Sequence, residues 1–185
     1  MCAKWMLPIA PAHMNILETE RLHLRLLTAD DADFYLRLVN QESWLRYIGN
    51  RGVYTNEQAQ LAIANGPLAM YARFGFCLYL VEIKSDAVPI PAGICGLIKR
   101  DTLDDVDIGF AFLDEHCGQG YAHESAAAVL DYGRNTLGLP RIVAITAPDN
   151  AQSIRLVEKL GLRFDKQIIL NSDGSSTNLY VSLPY

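Results

Sequence analysis

A chain of 185 residues, half of them hydrophobic and 20% charged, is the size of one compact domain with a substantial core, and a second domain is not expected. Its 16 Lys and Arg against 21 Asp and Glu leave a net charge of −5, which argues against a protein whose main work is gripping nucleic-acid phosphates. Nothing approaches a run of eighteen apolar residues, so neither a transmembrane helix nor a membrane partner is expected.

Met1 to Met14 carry a single Lys and two prolines and lack the apolar stretch of a signal peptide. Residues 1–13 are read as an N-terminal extension, with Met14 an alternative start, and 14–185 as one domain. Arg21 to Leu27 alternates like a strand, with Leu22, Leu24 and Leu26 on one face. Thr28, followed by Asp30 and Asp31, predicts a capped helix reaching Val39. A short helix over Glu42 to Tyr47 and a longer one over Asn56 to Tyr71, capped by Thr55, follow. Phe76 to Ile83 and Ala92 to Lys99 read as strands joined by the loop Ser85 to Pro91. Asp105 to Leu113 is the next strand, connected to the one before by a hairpin through Asp101 to Asp104. A helix opening at Gly120 extends to Leu137, where Gly138-Leu139-Pro140 ends it. Arg141 to Ala147 is a strand and Ala151 to Leu160 a helix. Strands at Phe164 to Leu170 and Asn178 to Leu183 flank the turn Ser172-Asp173-Gly174. The order predicts an α/β (α+β) fold, a mixed sheet with helices on both faces.

The segment Asp107 to Glu124 runs from an apolar strand through a glycine-rich turn into a helix, and that is an anion site by construction. Gly118 and Gly120 can adopt backbone angles other residues avoid and let a ligand come close to the main chain. The first N–H groups of the following helix, reinforced by its dipole, then point at the ligand. A phosphate-bearing cofactor fits, but neither the P-loop spacing nor the dinucleotide Gly-x-Gly-x-x-Gly is present. The four cysteines, Cys2, Cys77, Cys95 and Cys117, form no C-x-x-C pair, the pattern of reduced thiols in a cytoplasmic protein.

Cys117-Gly118-Gln119-Gly120-Tyr121-Ala122 fits the frame Gln/Arg-x-x-Gly-x-Gly/Ala, with Cys117 where Gln or Arg is usual. Downstream, Asn150-Ala151-Gln152-Ser153 followed by Lys159-Leu160-Gly161-Leu162 is similar to Asn-x-x-Ser-x-x-x-x-x-Lys-x-Gly-Phe. Both motifs resemble those of the GNAT superfamily of acetyl-CoA-dependent N-acetyltransferases. The second, together with the opening Leu17 to Arg25, resembles its branch of ribosomal-protein N-terminal acetyltransferases. The resemblance implies the GNAT fold, with a mostly antiparallel sheet of about seven strands, and acetyl-CoA as the acetyl donor. It also implies a cleft where the strand before the loop parts from the strand after it.

Carried over by position, Phe110 and Phe112 would offer backbone groups to the pantetheine, with Leu113 counted among the cofactor contacts. Cys117, Gly118, Gln119, Gly120, Tyr121 and Ala122, with His123 at the helix start, would donate to the pyrophosphate. Asn150 and Ser153 would face the pantetheine and sulfur from the other side. The chemistry implied is direct attack of a neutral amine on the acetyl carbonyl, with the N–H near Phe110 as oxyanion donor and Ser153 protonating the thiolate. Many other members use a Tyr four residues further on, where this chain has Val157. The Glu that serves as base in lysine-acetylating relatives aligns with Val106. Asp107, one step on, is the candidate base or amine-binding group, although adjacent strand residues face opposite sides unless a bulge re-aims one. Asp105, Glu82 and a water relay stand beside it.

The acceptor is a primary amine, either a protein N-terminus or a small molecule, and the protein a monomer or homodimer. A non-catalytic acyl-CoA-binding module is the alternative of a different class. His116 and His123 have no partners at metal spacing, so no metal is expected. Cys117 is read as a small buried residue rather than a reactive thiol, and Glu124 as holding the loop rather than ligand. Trp44, Tyr47, Tyr54 and Phe74 are divided between an acceptor pocket and the core.

Overall fold

A computed structural model describes residues 15–170 and 174–182. The expectations about residues 1–13, Met14, Cys2, the turn residues Ser172 and Asp173, and Leu183 lie outside the described residues. Among the described residues one eight-stranded sheet forms the centre, in the order β1-β2-β3-β4-β5-β6-β8-β7. Its strands are Asn15–Glu18 (β1), Leu22–Arg25 (β2), Leu78–Ile83 (β3), Ile90–Ile98 (β4), Val106–Phe112 (β5), Ile142–Thr146 (β6), Leu162–Ile169 (β7) and Ser176–Ser182 (β8). Every neighbouring pair is antiparallel except β5 with β6. The strand the sequence reading lacks is β1, whose pairing with β2 shifts register between Asn15 and Leu17, so no clean alternation marks it.

The leucines of β2 do what their spacing predicts. Leu22 and Leu24, with Leu26 just beyond, are buried in one core together with Val106, Ile108, Val129 and Val157. That core lies under α5 (Tyr121–Asn135) and α6 (Ala151–Lys159). A second core on the opposite face joins Leu80, Ile94 and Leu113 to Phe34, Leu38, Trp44 and Ile63. These last four belong to α1 (Ala32–Asn40), α2 (Glu42–Tyr47) and α3 (Asn56–Ile63). Alternate residues of the central strands feed opposite cores, so the sheet is covered on both sides.

Thr28 opens a tight helical turn at Ala29–Asp31 before α1, and the Asp31 carboxylate accepts from the Thr28 N–H at 2.7 Å. Thr55 and Gln58 form a reciprocal cap on α3. The long helix predicted over Asn56 to Tyr71 is not continuous. A widened turn, Ala64–Leu68, separates α3 from α4 (Ala69–Phe74). Pro67 sits in that turn, where it has no N–H to give to an α-helical ladder.

Candidate functional site

The parallel pairing of β5 and β6 runs from Val106 opposite Ile142 to Ile108 opposite Ala144, while β5 continues to Phe112 and β6 to Thr146. Beyond Ile108 the two strands therefore part and leave a notch in the sheet. The Leu113 N–H donates to the Ala92 carbonyl at 2.9 Å. By alternation the odd-numbered residues of β5 turn their backbone groups toward β4, and Phe110 and Phe112 turn theirs toward the notch. Leu113, expected among the cofactor contacts, is turned away: its N–H is spent on β4 and its side chain is buried in the second core.

Past β5 the chain makes one tight turn, Asp114–His116, and reaches the glycine loop. Gly118 and Gly120 have φ of +75° and +86°, a region that favours glycine, and Gly120 is the residue on which α5 begins. The first backbone bond of α5 runs from the Glu124 N–H to the Gly120 carbonyl, so the N–H groups of Tyr121, Ala122 and His123 precede the helical ladder. With the dipole behind them they present a positive edge beside the notch.

Glu124 is what holds this loop. Its Oε1 accepts from the Thr19 hydroxyl at 2.6 Å and from the Arg21 N–H at 2.9 Å, and its Oε2 accepts from Arg21 Nε at 2.6 Å. Arg21 Nη1 donates to the Gln119 carbonyl at 3.1 Å, and the guanidinium lies 4.7 Å from the centre of the Tyr121 ring. Partial burial works to raise the Glu124 pKa, but the bonds from Thr19 and Arg21 outweigh it and hold the carboxyl below the ordinary value. The structural role expected of Glu124 is therefore filled by β1–β2 partners rather than by loop amides.

Cys117 departs from expectation. It is exposed rather than buried, and partial burial of the thiol together with Asp114 and Glu115 raises its pKa, so the helix N-terminus does not activate it. Cys77 and Cys95 are buried thiols, each pushed up to about 12 by desolvation.

On the other wall of the notch, Asn150 caps α6, its Oδ1 accepting from the Ser153 N–H at 3.1 Å. That bond accounts for one face of Asn150 structurally and fixes Ser153 in the first turn of α6, half-buried. Val157, one turn further on, is fully buried in the core.

The three carboxylates weighed as a base all have cationic partners. Glu82 shares Arg25 with Asp31 in a buried cluster, each contact 2.8 Å. Asp105 meets Arg141 at 3.2 Å. Asp107 is fully buried, with Arg100 Nε donating to Oδ1 at 2.9 Å and Nη2 to Oδ2 at 3.3 Å. Burial raises the Asp107 pKa in spite of the opposing charge of Arg100. The β4–β5 register is unbroken, so no bulge re-aims Asp107, and it faces the side of the sheet opposite Val106.

A cleft of about 420 Å³ opens at the mouth of the notch, lined by Ser43, Tyr47, Asp114, Cys117, Asp149 and Asn150 among others. Of the four aromatic residues in question only Tyr47 lines it. Trp44 is buried and donates to the Gly49 carbonyl, Phe74 stacks with Phe76, and Tyr54 is exposed with its hydroxyl on Asn50. The short helix α2 grips both walls: Ser43 in its first turn donates to Asp114 at 2.8 Å, and Arg46 in its last turn bonds Asp149 at 3.1 Å. Gln41, just before α2, bonds the end of β5 through both ends of its carboxamide. Sequence reasoning missed Gln41, because a lone Gln ahead of a six-residue helix carries no motif.

Among the described residues no group of three or more His, Cys, Asp or Glu side chains is placed to hold a metal ion. Among them, too, no helix is long and apolar enough to cross a membrane.

Comparison with known proteins gives a consistent picture. A family model described as an acetyltransferase (GNAT) domain matches residues 21–163. A protein named uncharacterized N-acetyltransferase YnaD, from Bacillus subtilis (strain 168), is 40% identical over 147 residues, 80% of this chain and 82% of that protein. YoaA, another named N-acetyltransferase of the same organism, is 31% identical over 172 residues, 89% and 94% of the two chains. Among solved structures, RimL, a ribosomal L7/L12 alpha-N-protein acetyltransferase in complex with coenzyme A, matches with a TM-score of 0.77. The match covers 92% of this chain and 98% of that one at 18% identity, a likeness of fold.

Proposed function

The chain belongs to the GNAT acetyltransferase family and is an N-acetyltransferase, and from that premise we propose that it moves an acetyl group from acetyl-CoA to a primary amine by direct attack. The observation that carries the donor half is the notch beside the glycine loop. Unpaired strand edge, left-handed glycines and helix N–H groups converge there, and a Cβ built on Gly118 meets nothing within 4 Å, so a diphosphate can lie against the loop. Bound there, acetyl-CoA supplies the reactive thioester.

This chain's own residues then do the rest. The N–H groups of Tyr121, Ala122 and His123, with the loop from Cys117 to Gly120, hold the pyrophosphate. Phe110 and Phe112 pair with the pantetheine from one wall, and Asn150 borders it from the other. The Phe110 N–H stabilises the oxyanion that develops on the acetyl carbonyl. Ser153 gives its hydroxyl proton to the departing thiolate as its oxygen takes one back from solvent, and the N-terminal end of α6 favours the negative charge on the sulfur while it lasts. Asp107 takes the proton of the amine. Its support is its place on β5, three residues before Phe110, and a pKa that burial has raised. Because the carboxylate is covered and faces Arg100, it works through a relay.

The acceptor we favour is a protein N-terminus, the substrate class for which RimL is named, with small amines the second group. The buried free thiols at Cys77 and Cys95 support a cytoplasmic setting. A thiol-release assay with acetyl-CoA over a panel of peptides and small amines tests the activity. Turnover with any of them is the expected result. Retained CoA binding with no turnover on a broad panel would favour a binding module.

The base has its own test. A carboxyl that must be ionised to act loses its function as pH falls through its pKa, and a raised pKa moves that acidic limb of kcat/KM to higher pH than an ordinary carboxylate would give. Asp107→Asn is expected to flatten the limb. If the charge only attracts ammonium acceptors, KM for cationic acceptors rises and the limb stays. Wild-type rates at every pH would remove both roles.

A further inference from the structure

We infer that Gln41 is a positioning residue for the acetyl donor: it closes the pairing edge of β5 and so sets the register in which the pantetheine lies. The inference rests on the reading of the notch as an acetyl-CoA site. Gln41 joins α1 to α2 with extended backbone angles (φ −71°, ψ 155°). Its Nε2 donates to the Phe112 carbonyl at 2.7 Å, and its Oε1 accepts from the Asp114 N–H at 3.2 Å.

In a parallel sheet, one residue of a strand donates to the carbonyl of residue i on its neighbour and accepts from the N–H of residue i+2. Phe112 and Asp114 are related in that way. The carboxamide therefore occupies the place that one residue of an added strand would take. Leu113 between them is already paired with β4 through Ala92. The edge of β5 that faces the notch is thus bounded at both ends, by β6 up to Ile108 and by Gln41 from the Phe112 carbonyl onward. What remains between is the N–H and carbonyl of Phe110 and the N–H of Phe112.

A flexible chain of amides pairing with so short an edge has one register, and that register decides whether the acetyl carbonyl meets the Phe110 N–H. Freed from Gln41, the Phe112 carbonyl and the Asp114 N–H become an extra pairing step, along which the pantetheine can slip. Slippage would leave binding nearly intact and misplace the reacting carbon, and a misplacement near 1 Å costs roughly a hundredfold in rate. The contacts of Ser43 with Asp114 and of Arg46 with Asp149 hold α2 to both walls, so the carboxamide has a fixed base from which to act.

The test uses the whole chain with Gln41→Leu and Gln41→Glu, reading CoA affinity by calorimetry, kcat and KM with acetyl-CoA, and melting temperature. Gln41→Leu is expected to lower kcat at least tenfold, while CoA affinity stays within about threefold of wild type. Gln41→Glu carries the finer signature. Ionised, its carboxylate opposes the Phe112 carbonyl; protonated, its O–H donates to that carbonyl and its C=O accepts from Asp114, restoring both bonds. Its kcat relative to wild type should therefore recover as pH falls through the carboxyl's pKa, whereas the ratio for Gln41→Leu stays flat. Wild-type kcat in Gln41→Leu, or a rate loss in Gln41→Glu that is the same at every pH, overturns the inference. If the wild-type protein itself fails to bind CoA, the notch reading falls first, and Gln41 falls with it.

Discussion

Gly120→Val is expected to weaken CoA binding at least a hundredfold in calorimetry, about 2.7 kcal/mol, while the protein keeps its fold. Two costs meet at this position. Gly120 has φ +86°, where a β-branched residue is strained by roughly 1–2 kcal/mol. Any Cβ there also comes within 3.3 Å of Arg21 Nη2. Arg21 cannot simply yield, because its guanidinium is held by Glu124 and by the Gln119 carbonyl. The relief available is movement of the loop itself, which carries away the N–H groups meant for the pyrophosphate. Gly75→Ala is the control. Gly75 ends α4 with φ +77° and open space around it, so it pays a comparable backbone strain and leaves CoA affinity untouched. Equal affinity of wild type and Gly120→Val would remove the loop from the cofactor site.

Ser153→Ala is expected to lower kcat by roughly tenfold to several-hundredfold with little change in acetyl-CoA affinity, the scale expected for the loss of one positioned acid. The structure sharpens why. Ser153 sits in the first turn of α6 with its N–H already taken by Asn150, so its backbone is held and removing the hydroxyl should not disturb the cap. The buried Val157 lies one turn along the same helix and carries no proton, so it cannot take over. Rapid-quench measurement of a single turnover separates the chemical step from product release. A loss of acetyl-CoA affinity with kcat unaltered would reassign Ser153 to holding the cofactor.

Much of the site was legible because short-range chemistry wrote it. Gly118 and Gly120 before a helix, and Asn150 three residues before Ser153, are local patterns whose geometry follows from backbone angles and capping. The leucines of β2 declared their face by period, and the structure buries all of them on it. The helix expected after Thr55 runs straight through Pro67, whereas the missing N–H of that proline divides it with a widened turn before helical structure resumes. Cys117 is exposed against expectation, because the usual burial of a residue type says nothing about its place in a particular loop.

The sequence by itself determined that the chain forms alternating strands and helices, that one loop can bind an anion at a helix start, and to which family its motifs belong. Only the tertiary structure decided which groups that loop works with. Glu124 meets Thr19 and Arg21 from more than a hundred positions away, and Gln41 reaches the end of β5, which leads into the loop. The reason is physical. Caps, turns and amphipathic faces depend on residues within a few positions, so their signal survives in one dimension. Hydrogen bonds and ion pairs between distant segments depend on how the sheet brings strands together and where β5 leaves β6, and no local pattern of residues carries that geometry.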